Sequence, residues 1–192
     1  MRVEYWDVIR NVTPENLIFI DESGVNLAMI RMYARAFGGE RARGAKPQKT
    51  QNVSIIGAIS LEGMIASYNI SGGVKKMTFE AFICSKLVPV LKPGNHVIMD
   101  NATAHKSARI EEEIKAAGAT LVFLPRYSPD LSPIENYWSK LKTILRSIGA
   151  RTYKELDEAI KAAYSQISIE NIRNWYAHGC YCNSPFESDL EN

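Results

Sequence analysis

The sequence predicts a mixed α/β fold in which a five-stranded sheet carries helices on its faces. Five short apolar runs bounded by turn residues have the length and composition of buried strands. After the third run, apolar residues recur at helical spacing between the strands, and a strand–helix–strand order favours parallel pairing. A chain of 192 residues that is 46% hydrophobic is long enough for one such domain with a real core.

The first three strands are expected to pair antiparallel. The first, at 17–20, reads Leu-Ile-Phe-Ile and is followed at once by acidic residues. The second and third, at 53–59 and 64–70, are separated by a turn that we assign to Glu62-Gly63, which predicts a hairpin.

The later strands alternate with helices. Apolar runs predict strands at 96–99 and 120–124, and helical spacing with stop signals predicts helices at 78–91, 107–117, 133–147, 152–166 and 168–177. This order matches the ribonuclease H-like fold, and other mixed α/β sheets remain compatible with it. The element order alone therefore suggests the fold without deciding it.

The bulk composition limits the classes of function. A net charge of +2 is too small to indicate a polyanion partner, so a nucleic-acid surface would have to be a local basic patch. Three cysteines, an odd and sparse set, favour a reducing compartment. Since no apolar run approaches the ~18 residues of a membrane span and no signal peptide is evident, we expect a soluble cytoplasmic protein with no membrane partner.

Two of the predicted strands lead directly into an aspartate. Asp21 follows the first strand and Asp100 follows the fourth. The carboxyl ends of strands in such sheets collect ligands, so the two carboxylates would converge if their strands are neighbours. A third carboxylate, Glu135, stands at the start of a predicted helix and would complete an oxygen-ligand site for Mg²⁺.

Each of these carboxylates also has a purely structural interpretation. An aspartate after a strand is often a turn former or a helix cap, and Glu22 and Asp130 are nearby competitors for the proposed roles. Ser132-Pro133-Ile134-Glu135 fits a capping box, in which Glu135 would only accept a backbone hydrogen bond. We favour the metal ligand over the cap for Glu135.

Three motifs in order resemble the DDE transposases of the bacterial IS630 group, within the Tc1/mariner superfamily. They are FIDESGV at 19–25, VIMDNATAHKS at 97–107 and FLPRYSPDLSPIENYWSKLK at 123–142. The 34 residues from 101 to 134 that separate Asp100 from Glu135 match the interval typical of that superfamily. The resemblance extends from about residue 15 to the C-terminal WYAHGCY.

The resemblance implies a ribonuclease H-like catalytic core in which Asp21, Asp100 and Glu135 bind two Mg²⁺ (or Mn²⁺) ions. The implied activity is metal-dependent cleavage of DNA at transposon ends, followed by transfer of the freed 3′-OH into target DNA. Transposon-end and target DNA would be the partners, in a nucleoid-associated homodimer. The alternatives are a structure-specific nuclease of the same fold and a non-catalytic DNA-binding or dimerisation remnant.

Further candidates lie beside these acids or in basic segments. Residues that would support the acids or contact DNA are Glu22, Asn101, His105, Arg126 and Tyr127. Candidate phosphate-binding residues are Arg41, Arg43, Lys46, Lys49, Lys140, Lys142 and Arg146, each of which also fits a solvated surface. Zinc binding by the compressed His178–Cys182 segment is disfavoured, because a fourth ligand is lacking.

The expected domain organisation is a lead-in or linker at 1–14, the catalytic domain at 15–178 and a tail at 179–192. Members of the resembled family normally carry N-terminal helix-turn-helix units that recognise transposon ends. Asp21 lies almost at the start of this sequence. We therefore expect a catalytic-domain fragment, a split-frame product or a relic, with the helix-turn-helix region supplied by another part of the full transposase.

Overall fold

The fold is a mixed five-stranded sheet between two layers of helices, as the sequence predicts. The strand order is β3-β2-β1-β4-β5, with β1–β2 and β2–β3 antiparallel and β1–β4 and β4–β5 parallel. The strands are β1 Leu17–Val25, β2 Val53–Ser60, β3 Gly63–Ser71, β4 His96–Met99 and β5 Thr120–Phe123. The computed structural model describes residues 2–31, 35–41, 43, 50–102 and 105–182.

In the described part of the chain, six α-helices flank the sheet, and five of them match predicted helices. They are α1 Arg2–Ile9, α2 Lys76–Phe82, α3 Ala108–Ala116, α4 Pro133–Ile148, α5 Tyr153–Gln166 and α6 Ile169–His178. The single helix predicted at 78–91 is in fact α2 followed by a π turn, Ile83–Leu87, and a 3₁₀ turn, Val88–Val90. Pro89 lies in that last turn, and proline lacks the N–H that a continuing α-helix requires.

The first strand is longer than the sequence suggests. We predicted that it ends at Ile20, whereas β1 continues to Val25 because its antiparallel pairing with β2 runs from Phe19 to Val25. Its parallel pairing with β4 stops earlier, at the pair Phe19–Ile98. Asp21 therefore lies inside β1, two residues beyond the last pair with β4, and not after the end of the strand.

The hairpin between β2 and β3 also differs in detail from the prediction. Ser60 pairs with Gly63, so the two-residue loop consists of Leu61 and Glu62. We had assigned the turn to Glu62-Gly63. Gly63 instead opens β3 with φ +125°, a backbone conformation that residues with a Cβ rarely adopt.

Each face of the sheet covers its own core. One core joins β1 residues such as Phe19 to buried side chains of α1, α4, α5 and α6, and it includes Tyr5 and Tyr181. The other packs β1, β2 and β4 against α2 and α3, and it includes Phe79. Because Tyr5 and Tyr181 belong to the first core, residues on both sides of the predicted 15–178 domain pack with it. Among the described residues, no helix is long and apolar enough to cross a membrane.

Gly57 on β2 lies in close contact with α4. A Cβ built on this glycine would lie 2.6 Å from the Cη2 atom of Trp138 and 3.0 Å from the Cε atom of Met64. Trp138 is 2% exposed and is among the largest fully packed side chains of the core. The absence of a side chain at residue 57 is therefore what allows the indole ring to lie against the sheet.

The variant Gly57→Ala should lower the free energy of unfolding by about 2 kcal/mol, because a buried indole must shift to admit the methyl group. Urea denaturation followed by circular dichroism measures this change. Gly24→Ala on β1 is the matched control, because its Cβ would meet no atom within 4 Å. Equal stability loss in both variants would contradict the proposed packing constraint.

Candidate active site

The parallel pairing of β1 with β4 brings Asp21 and Asp100 to the same place on the sheet. Each aspartate lies two residues beyond the last paired residues, Phe19 and Ile98. Phe19 and Ile98 both point into the core beneath α4. Since side chains alternate along a strand, Asp21 lies on that same face, and Asp100, which follows β4, has the matching position.

Glu135 reaches this place from the first turn of α4. Ile134, Trp138, Leu141 and Leu145 are buried, as predicted, and fix the helix against the sheet. Ser132 is the N-cap residue, but its hydroxyl makes no capping hydrogen bond. The predicted capping box therefore does not form, and the exposed Glu135 carboxylate remains available to a ligand.

The three carboxylates line one open cleft of about 510 Å³. Its other walls come from the chain after β4 and from the loop that joins β5 to α4. The lining residues are Ile20, Asp21, Asp100, Asn101, Ala102, Leu124, Pro125, Arg126, Tyr127, Ser128, Pro129, Ser132 and Glu135. Among the predicted supporting residues, Asn101, Arg126 and Tyr127 thus share the cleft with the three acids.

Asp21 is held in an unfavourable environment for a charge. Burial raises the pKa of its carboxyl group to about 7, and the nearby charges of Glu135 and Asp100 add to that rise. The backbone amide of Glu22 and the indole N–H of Trp138 oppose it, the latter donating to Oδ2 of Asp21 at 3.1 Å. The acids are thus close enough to repel one another, an arrangement that a cation would relieve.

Asp100 is held by His105, which lies beneath the cleft. Nδ1 of His105 contacts Oδ1 of Asp100, and its Nε2 lies 3.3 Å from Oε1 of Glu22. Burial lowers the pKa of the imidazole, but the two carboxylates outweigh burial and raise it to about 9. The imidazole ring also stacks on Phe79, with centroids 4.1 Å apart. Hydrogen bonding to the imidazolium lowers the pKa of Asp100.

Glu22 does not compete with Asp21 for the cleft. The two residues alternate along β1, so Glu22 points to the face that carries α2 and α3 and joins the site only through His105. Asp130, the competitor of Glu135, pairs instead with Arg2 at 3.0 Å. Asp130 does not line the cleft either.

The predicted basic patch is not part of the cleft wall. Among the residues that the structure describes, the cleft lining contains neither the two loop arginines nor the cations of α4, namely Arg41, Arg43, Lys140, Lys142 and Arg146. Lys46 and Lys49 lie outside the described residues. Arg126 is therefore the predicted cation that shares the cleft with the acids.

Sequence reasoning missed the part that Trp138 takes in the site. We predicted this residue only as a hydrophobic anchor, which its burial confirms. Its position three residues after Glu135, on the same side of a helix, was the available signal that it also approaches the acids. The hydrogen bond to Asp21 depends on the tertiary contact with β2 at Gly57, which no local pattern reveals.

The donor set fits a hard divalent cation, because it offers carboxylate oxygens along an open cleft. Among the described residues, no three His, Cys, Asp or Glu side chains already form a metal cluster. Asp100 accepts from His105 through Oδ1 and Asp21 accepts from Trp138 through Oδ2, so each carboxylate keeps its second oxygen outside these two bonds. Cys180 and Cys182 are free thiols and likewise form no such cluster among the described residues.

The variant Asp21→Asn should be more stable than the wild type above pH 7. The native carboxyl group has its pKa raised from 3.8 to about 7, so the wild type loses stability as the pH rises through this interval, whereas asparagine does not ionise. The expected difference at pH 8 is on the order of 2–4 kcal/mol, and it vanishes below pH 3.8. Urea denaturation in EDTA at several pH values measures it; a pH-independent difference would contradict the raised pKa.

The variant Trp138→Phe should raise the pKa of Asp21 above about 7, because it removes the indole N–H that stabilises the ionised carboxylate. A carboxyl ¹³C NMR titration measures this shift. Trp175→Phe is the control, since Trp175 packs edge-on against Tyr137 with centroids 6.1 Å apart. An unchanged or lowered pKa in Trp138→Phe would show that the indole does not stabilise the charge.

The fold is similar to that of solved transposase structures. A Mos1 transposase paired-end complex with left transposon end matches 93% of this chain and 59% of that chain, with a TM-score of 0.72 and 13% identity. The Mos1 strand transfer complex matches 94% and 58%, with a TM-score of 0.68 and 14% identity. The Mos1 catalytic domain with raltegravir and Mn matches 94% and 90%, with a TM-score of 0.62 and 11% identity.

These likenesses confirm the predicted ribonuclease H-like fold, and the chain spans about three fifths of the length of the longer Mos1 chains. No curated protein sequence matches the chain significantly. A family model described as "DDE superfamily endonuclease" matches residues 16–158. That match covers most of the sequence and includes Asp21, Asp100 and Glu135, and the chain accordingly belongs to the DDE superfamily of endonucleases.

Proposed function

We propose that this chain is the catalytic part of a DDE transposase, which cleaves DNA at transposon ends and joins the freed 3′-OH to target DNA. The observation that carries the proposal is the alignment of Asp21, Asp100 and Glu135 along one open cleft in a chain of this family. Two Mos1 structures of similar fold support it, a paired-end complex with left transposon end and a strand transfer complex. The IS630 group is the finer assignment that the sequence motifs favour.

The carboxylates of Asp21, Asp100 and Glu135 would hold divalent ions, Mg²⁺ or Mn²⁺, two per site. The structure of the Mos1 catalytic domain with raltegravir and Mn supports this cofactor class. When bound, such ions activate the attacking oxygen and stabilise the leaving one. The raised pKa of Asp21 shows that its ionised form is unfavourable here, and a bound cation would stabilise that ionised form.

The other residues of the cleft orient these carboxylates and the substrate. His105 holds Asp100 from below, and Trp138 holds Asp21 from the side of α4. The exposed guanidinium of Arg126 is suited to contact a DNA phosphate at the mouth of the cleft. Cleavage and strand transfer would differ only in the nucleophile: water attacks the phosphodiester and releases a 3′-OH in the first step, and that 3′-OH attacks a target phosphodiester and displaces its 3′ oxygen in the second. One site therefore serves both steps without a covalent protein–DNA intermediate.

The proposal extends to other parts of the assembly. The chain spans only part of its structural neighbours, which leaves room for a helix-turn-helix region in the full transposase. We further propose a homodimer in the active complex, association with the nucleoid, a catalytic domain at 15–178 and phosphate binding by the basic residues outside the cleft. Asn101, beside Asp100 in the cleft wall, is proposed to support the acids.

The test of the proposed function is Mg²⁺- or Mn²⁺-dependent nicking and strand transfer on DNA that carries the element's ends. Asp100→Asn and Glu135→Gln should each lower both activities by about 100-fold or more, because each removes a charged ligand while preserving side-chain shape. Gel analysis of end-labelled DNA measures both products.

Asp130→Asn is the matched control, because this carboxylate lies near Glu135 in sequence but pairs with Arg2 outside the cleft. It should retain activity close to that of the wild type. Metal-dependent activity that survives both cleft substitutions would refute the assignment of these residues. Nicking without any strand transfer would favour the structure-specific nuclease instead.

A further inference from the structure

The loop between β5 and α4 presents an aromatic side chain to solvent in an unfavourable backbone conformation. Tyr127 has φ +58°, within the left-handed region, and its side chain is 97% exposed. Among the described residues, only Cys180 is another non-glycine residue with positive φ. A tyrosine in this position gains no burial that would offset the strain, and a glycine would satisfy the backbone better.

Tyr127 lies in a loop whose two ends are fixed by hydrogen bonds. At its start, the Leu124 amide donates to the Met99 carbonyl at 2.9 Å, and Leu124 is buried. At its end, the Tyr181 hydroxyl donates to the Leu131 carbonyl at 2.7 Å in the core. The phenol is thus held outward by a loop with little freedom to retract it, which is the behaviour of a preorganised contact residue.

The location of Tyr127 indicates which kind of ligand its side chain would contact. It lines the same cleft as Asp21, Asp100 and Glu135, next to the exposed cation of Arg126. If a DNA phosphate lies at the three acids, the sugar and base next to that phosphate therefore lie near Tyr127. An exposed aromatic ring binds a nucleobase by stacking on its face, and every base offers such a face.

We propose that Tyr127 is a stacking platform for an unpaired nucleobase beside the scissile phosphate. The base must be unpaired or extruded, because within a continuous duplex both of its faces are covered by neighbouring bases. The inference rests on the proposed function for the presence of DNA in the cleft. It adds a way in which the site would favour distorted or unpaired DNA over regular duplex, independent of base identity.

The test uses the whole 192-residue chain and two matched oligonucleotide duplexes, in EDTA so that no cleavage occurs. One duplex carries a single 2-aminopurine opposite an abasic site, and the other carries the same base fully paired. The wild type should bind the first duplex more tightly and quench its 2-aminopurine fluorescence. Tyr127→Ala should weaken binding to the first duplex by about tenfold and lose the quenching, with little change on the paired duplex.

Three further variants separate stacking from other roles. Tyr127→Phe should keep both the preference and the quenching, because the ring is retained. Tyr127→Gly should lose both while keeping or raising the thermal midpoint, because the backbone strain is relieved. Arg126→Ala should weaken binding to both duplexes equally, as expected for a phosphate contact.

The inference is overturned if the wild type shows no preference for the unpaired base or if Tyr127→Ala retains it. It is also overturned if Tyr127→Ala changes the sedimentation of the protein alone and not its DNA preference, since the tyrosine would then contact a second protein. Because binding is read without metal, a failed nicking assay leaves this result interpretable. Conversely, if nicking depends on Asp100 but Tyr127→Ala keeps the wild-type preference for the unpaired base, the stacking role is refuted and the proposed function is not.

Discussion

The parallel pairing of β1 with β4 is the constraint on which the site depends. The register fixes Phe19 opposite Ile98, and the two aspartates two residues further on then occupy matching positions on one face. A shift of one residue would turn Asp21 toward the opposite core, beneath α2 and α3. The buried apolar residues that alternate with the acids, such as Ile18 and Ile20 on the opposite face, exclude that shift energetically.

The fold brings carboxylates together in the cleft, which is electrostatically unfavourable. Asp21 is desolvated beside two other carboxylates, and this raises its pKa to about 7. Two hydrogen bonds hold the aspartates, one from the neutral indole of Trp138 to Asp21 and one between the imidazolium of His105 and Asp100. Both contact residues are buried, so the hydrogen bonds are made by groups that the core itself holds in position. Such a site costs stability, which is characteristic of a surface built for a ligand.

The sequence was informative where local patterns carry the information. Apolar runs and helical spacing predicted the strands and five helices, and the resemblance to a known family, with its typical interval after Asp100, predicted Glu135 as the third acid, which the structure places in the same cleft. The sequence was uninformative about features that depend on contacts between residues distant in the chain. The extension of β1 past Asp21 depends on β2, and the indole hydrogen bond depends on the space at Gly57. Tyr127 adopts a left-handed conformation that no local pattern predicts, in a loop held at its end by Tyr181, which is distant in sequence.

The elements that carry the three acids also determine how the site can respond to a ligand. Asp21 lies within a strand paired with β2, and Glu135 lies on a helix whose opposite side is fully buried. The loop before that helix is held by Tyr181, whose hydroxyl contacts that of Tyr5 at 2.5 Å. Backbone positions are therefore set before any ligand arrives. Any adjustment of the site to a ligand is then left to the side chains of the acids, which is a smaller entropic cost than the ordering of a loop.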